Sequence, residues 1–180
     1  YMRMSQNDFD DIPKRYYQRV LMPALVAQAS RYIPVEKILP EGYEDVKEKR
    51  TQIFFGFFNI LFLAGSAFLL HLFCEMLGFN LWQGVVAAFL YLTSFYTVNY
   101  FTVPLVDSAG SFFVMACIYA VFTNRNLWLL VCFFVGILAK EAVLMVLLVI
   151  MLHERKIFTP KLLVCIPGLV AFFLLGAMSS

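Results

Sequence analysis

Residues 127–152 read LWLLVCFFVGILAKEAVLMVLLVIML, an apolar stretch in which only Lys140 and Glu141 carry charge. An ionisable side chain at membrane depth costs about 2.5–3.5 kcal/mol on insertion scales, unless it meets a polar cavity, a partner or the water interface. The two charges therefore indicate either buried chemistry within one long helix or a turn between two short helices. The choice decides the topology of the chain.

The composition is typical of an integral membrane protein. Hydrophobic residues make up 62% of the chain and charged residues 14%, whereas about a quarter of the residues in soluble domains are charged. Most charged residues precede residue 51. The charged residues within 51–152 are only Glu75, Asp107, Arg125, Lys140 and Glu141. We divide the chain into a polar external head, 1–50, and a transmembrane helical domain, 51–180. A net charge of +2, with basic and acidic residues interleaved, indicates no nucleic-acid partner.

The head contains one amphipathic segment, from Tyr16 to Ile33. Its apolar residues recur at helical spacing, with arginines and glutamines on the rest of the turn. It is too polar to cross a bilayer, so we expect a helix lying in the interface plane, kinked at Pro23. Residues 34–50 are expected to form an exposed connection. The apolar positions of the helix are Tyr17, Val20, Leu21, Ala24 and Leu25.

The apolar runs after residue 50 predict an all-α, polytopic transmembrane helix bundle. Turns are expected at 78–80 and at 124–126, and a basic loop at 153–156. We expect the last span to be interrupted at Pro167-Gly168. The spans are expected at about 51–77, 81–100, 105–123, 127–139 plus 141–152, and 161–178.

The positive-inside rule favours a bend at Lys140-Glu141. Cytoplasmic loops carry an excess of Lys and Arg, and only a short-helix pair around Lys140-Glu141 brings the later cations to one side. The acidic head, Asp107 and the Lys140-Glu141 pair would then share the outer face. The run 47–50 opposes this topology because it would lie outside, so the single long helix stays an alternative. The cations concerned are Arg125, Arg155, Lys156 and Lys161.

Three groups of polar residues are candidates for chemistry, and each also has a plain structural role. Asp107 could cap a helix or could serve in a water-filled cavity. Lys140 and Glu141 could mark a helix end by snorkelling, or could bind a phosphate and a hydroxyl group. The head carboxylates could be a solvated charge run, or could supply a general base to a substrate at the interface. They are Asp8, Asp10 and Asp11, and the candidate substrate-binding cations beside them are Arg15 and Arg19.

Metal-ligand and redox motifs are not evident in the sequence. The four cysteines lie in apolar runs, at spacings that match neither a CxxC pair nor a disulfide framework, so we predict packing roles for them. We predict no metal-ligand residues.

Four features together resemble the GT-C superfamily of polytopic membrane glycosyltransferases, which includes protein mannosyltransferase and aminoarabinose transferase relatives. They are the acidic loop, the interfacial segment YYQRVLMPAL, the span that opens with Asp107 and the segment GILAKEA from Gly136. The resemblance covers roughly residues 8–151 and implies a polyprenyl-phosphate-linked sugar donor. It implies that one of Asp8, Asp10 or Asp11 acts as base toward an acceptor hydroxyl, with Asp107 as the second acidic position. Lys140 and Glu141 would help hold the lipid phosphate or the acceptor, and a divalent cation could assist.

We therefore expect a membrane glycosyltransferase, or the N-terminal module of one, acting on the non-cytoplasmic side of a bacterial inner membrane. The first residue is Tyr and the family has about twice as many spans, so we expect a fragment whose partners include the remainder of the chain, membrane lipid and the lipid-linked donor. One alternative is a non-catalytic accessory subunit that packs against other transmembrane subunits through small residues, namely Gly56, Gly65, Ala67, Ala87 and Ala88. A third is an ion or proton transporter that uses Asp107, Lys140 and Glu141.

Overall fold

The computed structural model describes residues 20–33, 46–94, 107–154 and 159–178. All regular structure in these ranges is helical, which confirms the predicted all-α class. The elements are α1 Leu21–Tyr32, α2 Val46–Met76, α3 Leu81–Thr93, α4 Asp107–Phe122, α5 Asn126–Ala139, a 3-10 helix Glu141–Leu144, α6 Met145–Glu154 and α7 Pro160–Met178.

Helix α1 packs against α2 and α5. Its buried residues include Met22 and Val26, one turn apart, while Ala24 is exposed. Of the predicted apolar positions, Val20, Leu21 and Leu25 are partly buried, and Tyr17 lies outside the described ranges. The predicted kink at Pro23 is wrong, because Pro23 lies in the first turn, where a missing N–H removes no helical hydrogen bond.

Helix α2 contains the segment Lys49–Met76, the one described segment that is long and apolar enough to cross a membrane. It begins at Val46, within the predicted exposed connection 34–50, because the polar residues 46–50 continue the same helix. The shorter apolar helices are α3, α4 and α5, with 13, 16 and 14 residues, and the segment Pro160–Leu174 of α7. A full bilayer crossing needs about 20 residues, so each of these segments alone is shorter than a full crossing.

Helix α3 ends earlier than the sequence predicted. The second span was expected to reach residue 100, but the helix ends at Thr93, and Ser94 adopts an extended backbone. The Thr93 hydroxyl donates to the Phe89 carbonyl oxygen at 2.9 Å. Such hydroxyl side chains compete for helical carbonyl groups and favour helix ends. Residues 95–106 lie outside the described ranges.

Two compact turns reverse the chain where the sequence predicted them. After α2, Gly78 has a φ of 85°, and the Phe79 N–H donates to the Cys74 carbonyl at 3.0 Å. After α4, Asn124 has a φ of 57°, and the Arg125 N–H donates to the Ala120 carbonyl at 3.0 Å. Both arrangements satisfy the last carbonyl groups of a helix with a residue in the left-handed region. Gly and Asn are the residues that tolerate that conformation best.

Contacts along α4 show that the chain reverses at Lys140. Asp107, the first residue of α4, pairs with Lys140. Phe122, the last residue of α4, lies with its ring centroid 4.6 Å from that of His153, near the end of α6. Helix α5 therefore runs antiparallel to α4, and α6 runs back alongside it. The predicted bend is confirmed. We call the two ends of this bundle the Lys140 end and the Arg125 end.

The last two helices depart from prediction in detail. His153 and Glu154 belong to the last turn of α6, not to a loop. Helix α7 continues through Pro167, so the predicted interruption is wrong. Pro167 removes only one backbone donor from the helix, and its ring lies at an exposed position. The next residue, Gly168, is buried. A Cβ at Gly168 would lie 2.7 Å from the Phe133 ring, so α7 packs closely on α5.

A glycine-to-alanine comparison tests the closeness of α4 and α5. A Cβ at Gly136 would lie 2.6 Å from Phe113 Cβ and 3.1 Å from Val143 Cγ2. We expect Gly136→Ala to lower the free energy of unfolding by about 1–3 kcal/mol through overpacking. At Gly56 nothing lies within 4 Å of the added carbon, so Gly56→Ala should be neutral or stabilising by up to about 1 kcal/mol. Denaturant titration in detergent measures both, and equal effects would contradict the packing described.

Candidate functional site

The candidate site is at the Lys140 end of the bundle, where the helical path stops for one residue. Helix α5 ends at Ala139, and Lys140 is extended, with φ −163° and ψ 138°. Its N–H donates to the Gly136 carbonyl at 2.9 Å, and its carbonyl accepts from the Val143 N–H at 3.2 Å. Lys140 thus closes α5 and opens the 3-10 helix with its own backbone groups.

The Lys140 ammonium group donates to the Asp107 carboxylate as a direct ion pair. The two residues are 33 positions apart in the chain. Their side chains keep 28% and 23% of their surface exposed, so the pair is sheltered but not sealed from solvent. Asp107 lies in the first turn of α4, where the helix dipole favours a carboxylate. The predicted capping position and the predicted proximity to Lys140 therefore occur together.

A glycine on α4 makes room for the lysine side chain. A Cβ at Gly110 would lie 2.9 Å from Lys140 Cβ and 3.0 Å from its Cδ. The aliphatic stem of Lys140 therefore lies against α4 before its ammonium group reaches Asp107. Because any larger residue at Gly110 would push the stem away, this glycine helps to position the charge.

A buried hydrogen bond that was not predicted from the sequence lies next to Asp107. The Ser108 hydroxyl donates to the Asn59 amide oxygen at 2.5 Å, and both residues are almost fully buried. This bond ties the beginning of α4 to α2. The available signal was an asparagine within the apolar run of α2, because an amide in such a place needs a partner.

Not all the predicted site residues are brought together. Lys140 and Asp107 are in contact, and Glu141, partly buried, follows as the first residue of the 3-10 helix. The remaining candidates lie outside the described ranges, and their roles stay predictions: Asp8, Asp10, Asp11, Arg15 and Arg19. Among the described residues, no group of three or more His, Cys, Asp or Glu side chains could hold a metal ion.

The opposite end holds a second, more buried ion pair. Lys161, with 6% of its surface exposed, donates to Glu154 Oε1 at 2.5 Å and to the Val121 carbonyl at 3.0 Å. These bonds join the start of α7 to the ends of α6 and α4. Lys161 therefore lies at the same end as Arg125, as the bent topology requires. Its burial and its backbone partner indicate a structural role.

The arrangement can hold an anionic or hydroxyl-bearing group at the Lys140 end. A lysine paired with a single carboxylate keeps further N–H donors on its ammonium group. A carboxylate at partial exposure can also accept from a hydroxyl group.

Comparisons of the chain with protein-family models, with curated proteins and with solved structures found no match.

Proposed function

We propose that the chain is a multi-pass membrane glycosyltransferase of GT-C type, or a module of one, in a bacterial inner membrane. In this proposal it transfers a sugar from a polyprenyl-phosphate carrier to an acceptor on the non-cytoplasmic side. The observation that carries the proposal is the pairing of Asp107 with Lys140 at a chain reversal, at the end opposite Arg125. The resemblance noted in the sequence implies that Asp107 is the second acidic position and that Lys140 and Glu141 help to hold the lipid phosphate or the acceptor.

Membrane embedding is supported by the apolar surface. Large apolar side chains are exposed on several helices, including Trp82 at 74%, Leu127 at 73% and Phe173 at 69%. Soluble monomers rarely expose contiguous apolar patches of more than a few hundred Å². The opposed positions of Lys140 and Arg125 also suit the positive-inside topology, with Arg125 and Lys161 toward the cytoplasm.

The proposed mechanism gives a head carboxylate, Lys140 and Asp107 distinct tasks. A head carboxylate takes the proton of the acceptor hydroxyl as that oxygen attacks the anomeric carbon, and the bond to the lipid phosphate breaks. The Lys140 ammonium group stabilises the negative charge on the departing phosphate, as fixed cations do in other transfer reactions. Asp107 holds Lys140 in place and keeps its stem against Gly110.

Transfer of radiolabelled sugar tests the proposal with the head carboxylates. Membranes containing the chain are supplied with polyprenyl phosphates that carry labelled mannose or aminoarabinose, and label in the acceptor fraction is counted. We expect one of Asp8→Asn, Asp10→Asn and Asp11→Asn to lower transfer by about 10²–10⁴-fold, the usual contribution of a general base. Equal transfer by all three single variants and the triple variant would contradict the role of a head carboxylate as general base. Absence of transfer by the unaltered chain would favour the accessory subunit.

The accessory-subunit reading has one specific observation in its favour. Gly56 on α2 has open space beside it, and the exposed Phe57 and Ile60 lie nearby on the same helix. Small residues in membrane helices often lie where another helix approaches closely. By contrast Gly65, predicted as such a site, already contacts Phe112 of α4 within the chain. Gly56 is therefore the position on α2 at which a helix of another subunit would pack.

A further inference from the structure

A cavity of about 250 Å³ opens between α2, α4 and α5 toward the Arg125 end. Its walls include Leu69 of α2, Phe112 and Ala116 of α4, and Cys132 of α5, and they are almost entirely apolar. Phe112 and Ala120, which both line it, are eight residues apart on α4. At 1.5 Å per residue these two lining positions are about 12 Å apart along the helix axis. We call this apolar cavity the slot.

A cation lies at one end of the slot. Arg125 lines the cavity and is exposed, and no carboxylate in the described ranges pairs with its guanidinium group. Trp128 and Tyr119 line the same region, and Trp128 keeps 58% of its surface exposed. Trp and Tyr are enriched at membrane interfaces, where one end of the ring is apolar and the other wet.

We propose that this slot binds one acyl chain of an anionic phospholipid, with the lipid phosphate on Arg125. The guanidinium fork matches a phosphate group in geometry and charge. The apolar wall suits a hydrocarbon chain and offers little to a polar ligand. Anionic lipids are enriched in the cytoplasmic leaflet, and basic pockets between transmembrane helices on that side bind their headgroups. The inference rests on the proposed membrane embedding, but not on sugar transfer.

This site is distinct from the proposed donor site. The donor phosphate would lie near Lys140, at the beginning of α4, whereas Arg125 follows the end of α4. The 16 residues of α4 separate the two ends by about 24 Å. A lipid in the slot would therefore occupy the opposite leaflet.

Fluorescence quenching by brominated lipids tests the site directly. The chain has two tryptophans, so Trp82→Phe leaves Trp128 as the only reporter. The protein is placed in phosphatidylcholine nanodiscs that contain a fixed fraction of lipid with brominated acyl chains, either phosphatidylglycerol or phosphatidylcholine. We expect phosphatidylglycerol to be enriched about fivefold beside Trp128, the preference expected for one Arg near anionic headgroups. Arg125→Gln should abolish the preference, while Arg31→Gln should preserve it.

A matched reporter completes the test. Trp128→Phe leaves Trp82, which is exposed on α3 and does not line the slot, so both brominated lipids should quench it equally. Equal quenching of Trp128 by the two lipids, or a preference that survives Arg125→Gln, would overturn the proposal. Weak quenching of Trp128 by both lipids would show that lipid does not reach the slot, and would overturn it too. None of these readings depends on transferase activity.

Discussion

Exchanging the two charges of the candidate site, as Asp107→Lys with Lys140→Asp, is expected to leave the chain folded and to lower sugar transfer by at least about 10²-fold. That magnitude is typical when one fixed stabilising group is removed from a reaction centre. The exchange keeps an opposite-charge pair between the same two positions. It moves the cation from the chain reversal to the first turn of α4, where a lysine meets the unfavourable end of the helix dipole, at a cost of about 0.3–1 kcal/mol.

The single variant Lys140→Met separates the effect of the ion pair on stability from its effect on sugar transfer. Lys140→Met leaves Asp107 without this partner, and we expect a loss of about 1–3 kcal/mol in the free energy of unfolding, between the values for exposed and for buried pairs. The exchanged pair should recover most of that stability and none of the transfer. Denaturant titration and the radiolabel assay are run on the same preparations. Transfer by the exchanged pair within a few fold of the unaltered chain would show that the two charges serve only the fold.

Removing the buried lysine at the other end is expected to have the largest effect on stability. Lys161→Met leaves the Glu154 carboxylate and the Val121 carbonyl without the ammonium group that both now contact. Breaking a buried ion pair by removing one partner costs about 3–5 kcal/mol. We therefore expect a loss near 3 kcal/mol, because Glu154 keeps 29% of its side chain exposed.

Two control variants accompany this measurement. Arg31→Gln removes an exposed cation from α1, and such surface changes usually alter stability by less than about 0.5 kcal/mol. Combining Lys161→Met with Glu154→Leu removes both charges, so the double variant should be more stable than Lys161→Met alone. A Lys161→Met effect no larger than that of Arg31→Gln would contradict the structural role assigned to Lys161.

The break at Lys140 shows what the sequence could predict. Ala, Lys and Glu are good helix formers, so local propensity around 139–142 favours a continuous helix. The distribution of loop charges favoured a bend instead, and the structure has the bend. The sequence could not show how the bend is held, because the ion pair to Asp107 and the fit against Gly110 join residues that are far apart in the chain.

The errors have physical causes as well. The kink predicted at Pro23 does not form because α1 begins at Leu21, which places the proline in the first turn. Helix α3 was predicted too long because aromatic residues after Thr93 continue the apolar run. The hydrogen bond from Ser108 to Asn59 was missed because partners 49 residues apart have no local pattern.

Cysteine labelling in intact cells tests the proposed topology, in which the chain reverses at Lys140 and brings Asp107 and Lys140 to the outer face, opposite Arg125. The four native cysteines are replaced by alanine, and Asp107→Cys, Glu141→Cys or Asn126→Cys is introduced singly. A membrane-impermeant maleimide is applied before and after permeabilisation. We expect labelling at positions 107 and 141 from outside, and at 126 only after permeabilisation. Labelling of 107 and 141 from opposite sides, or of 126 and 141 from the same side, would contradict it.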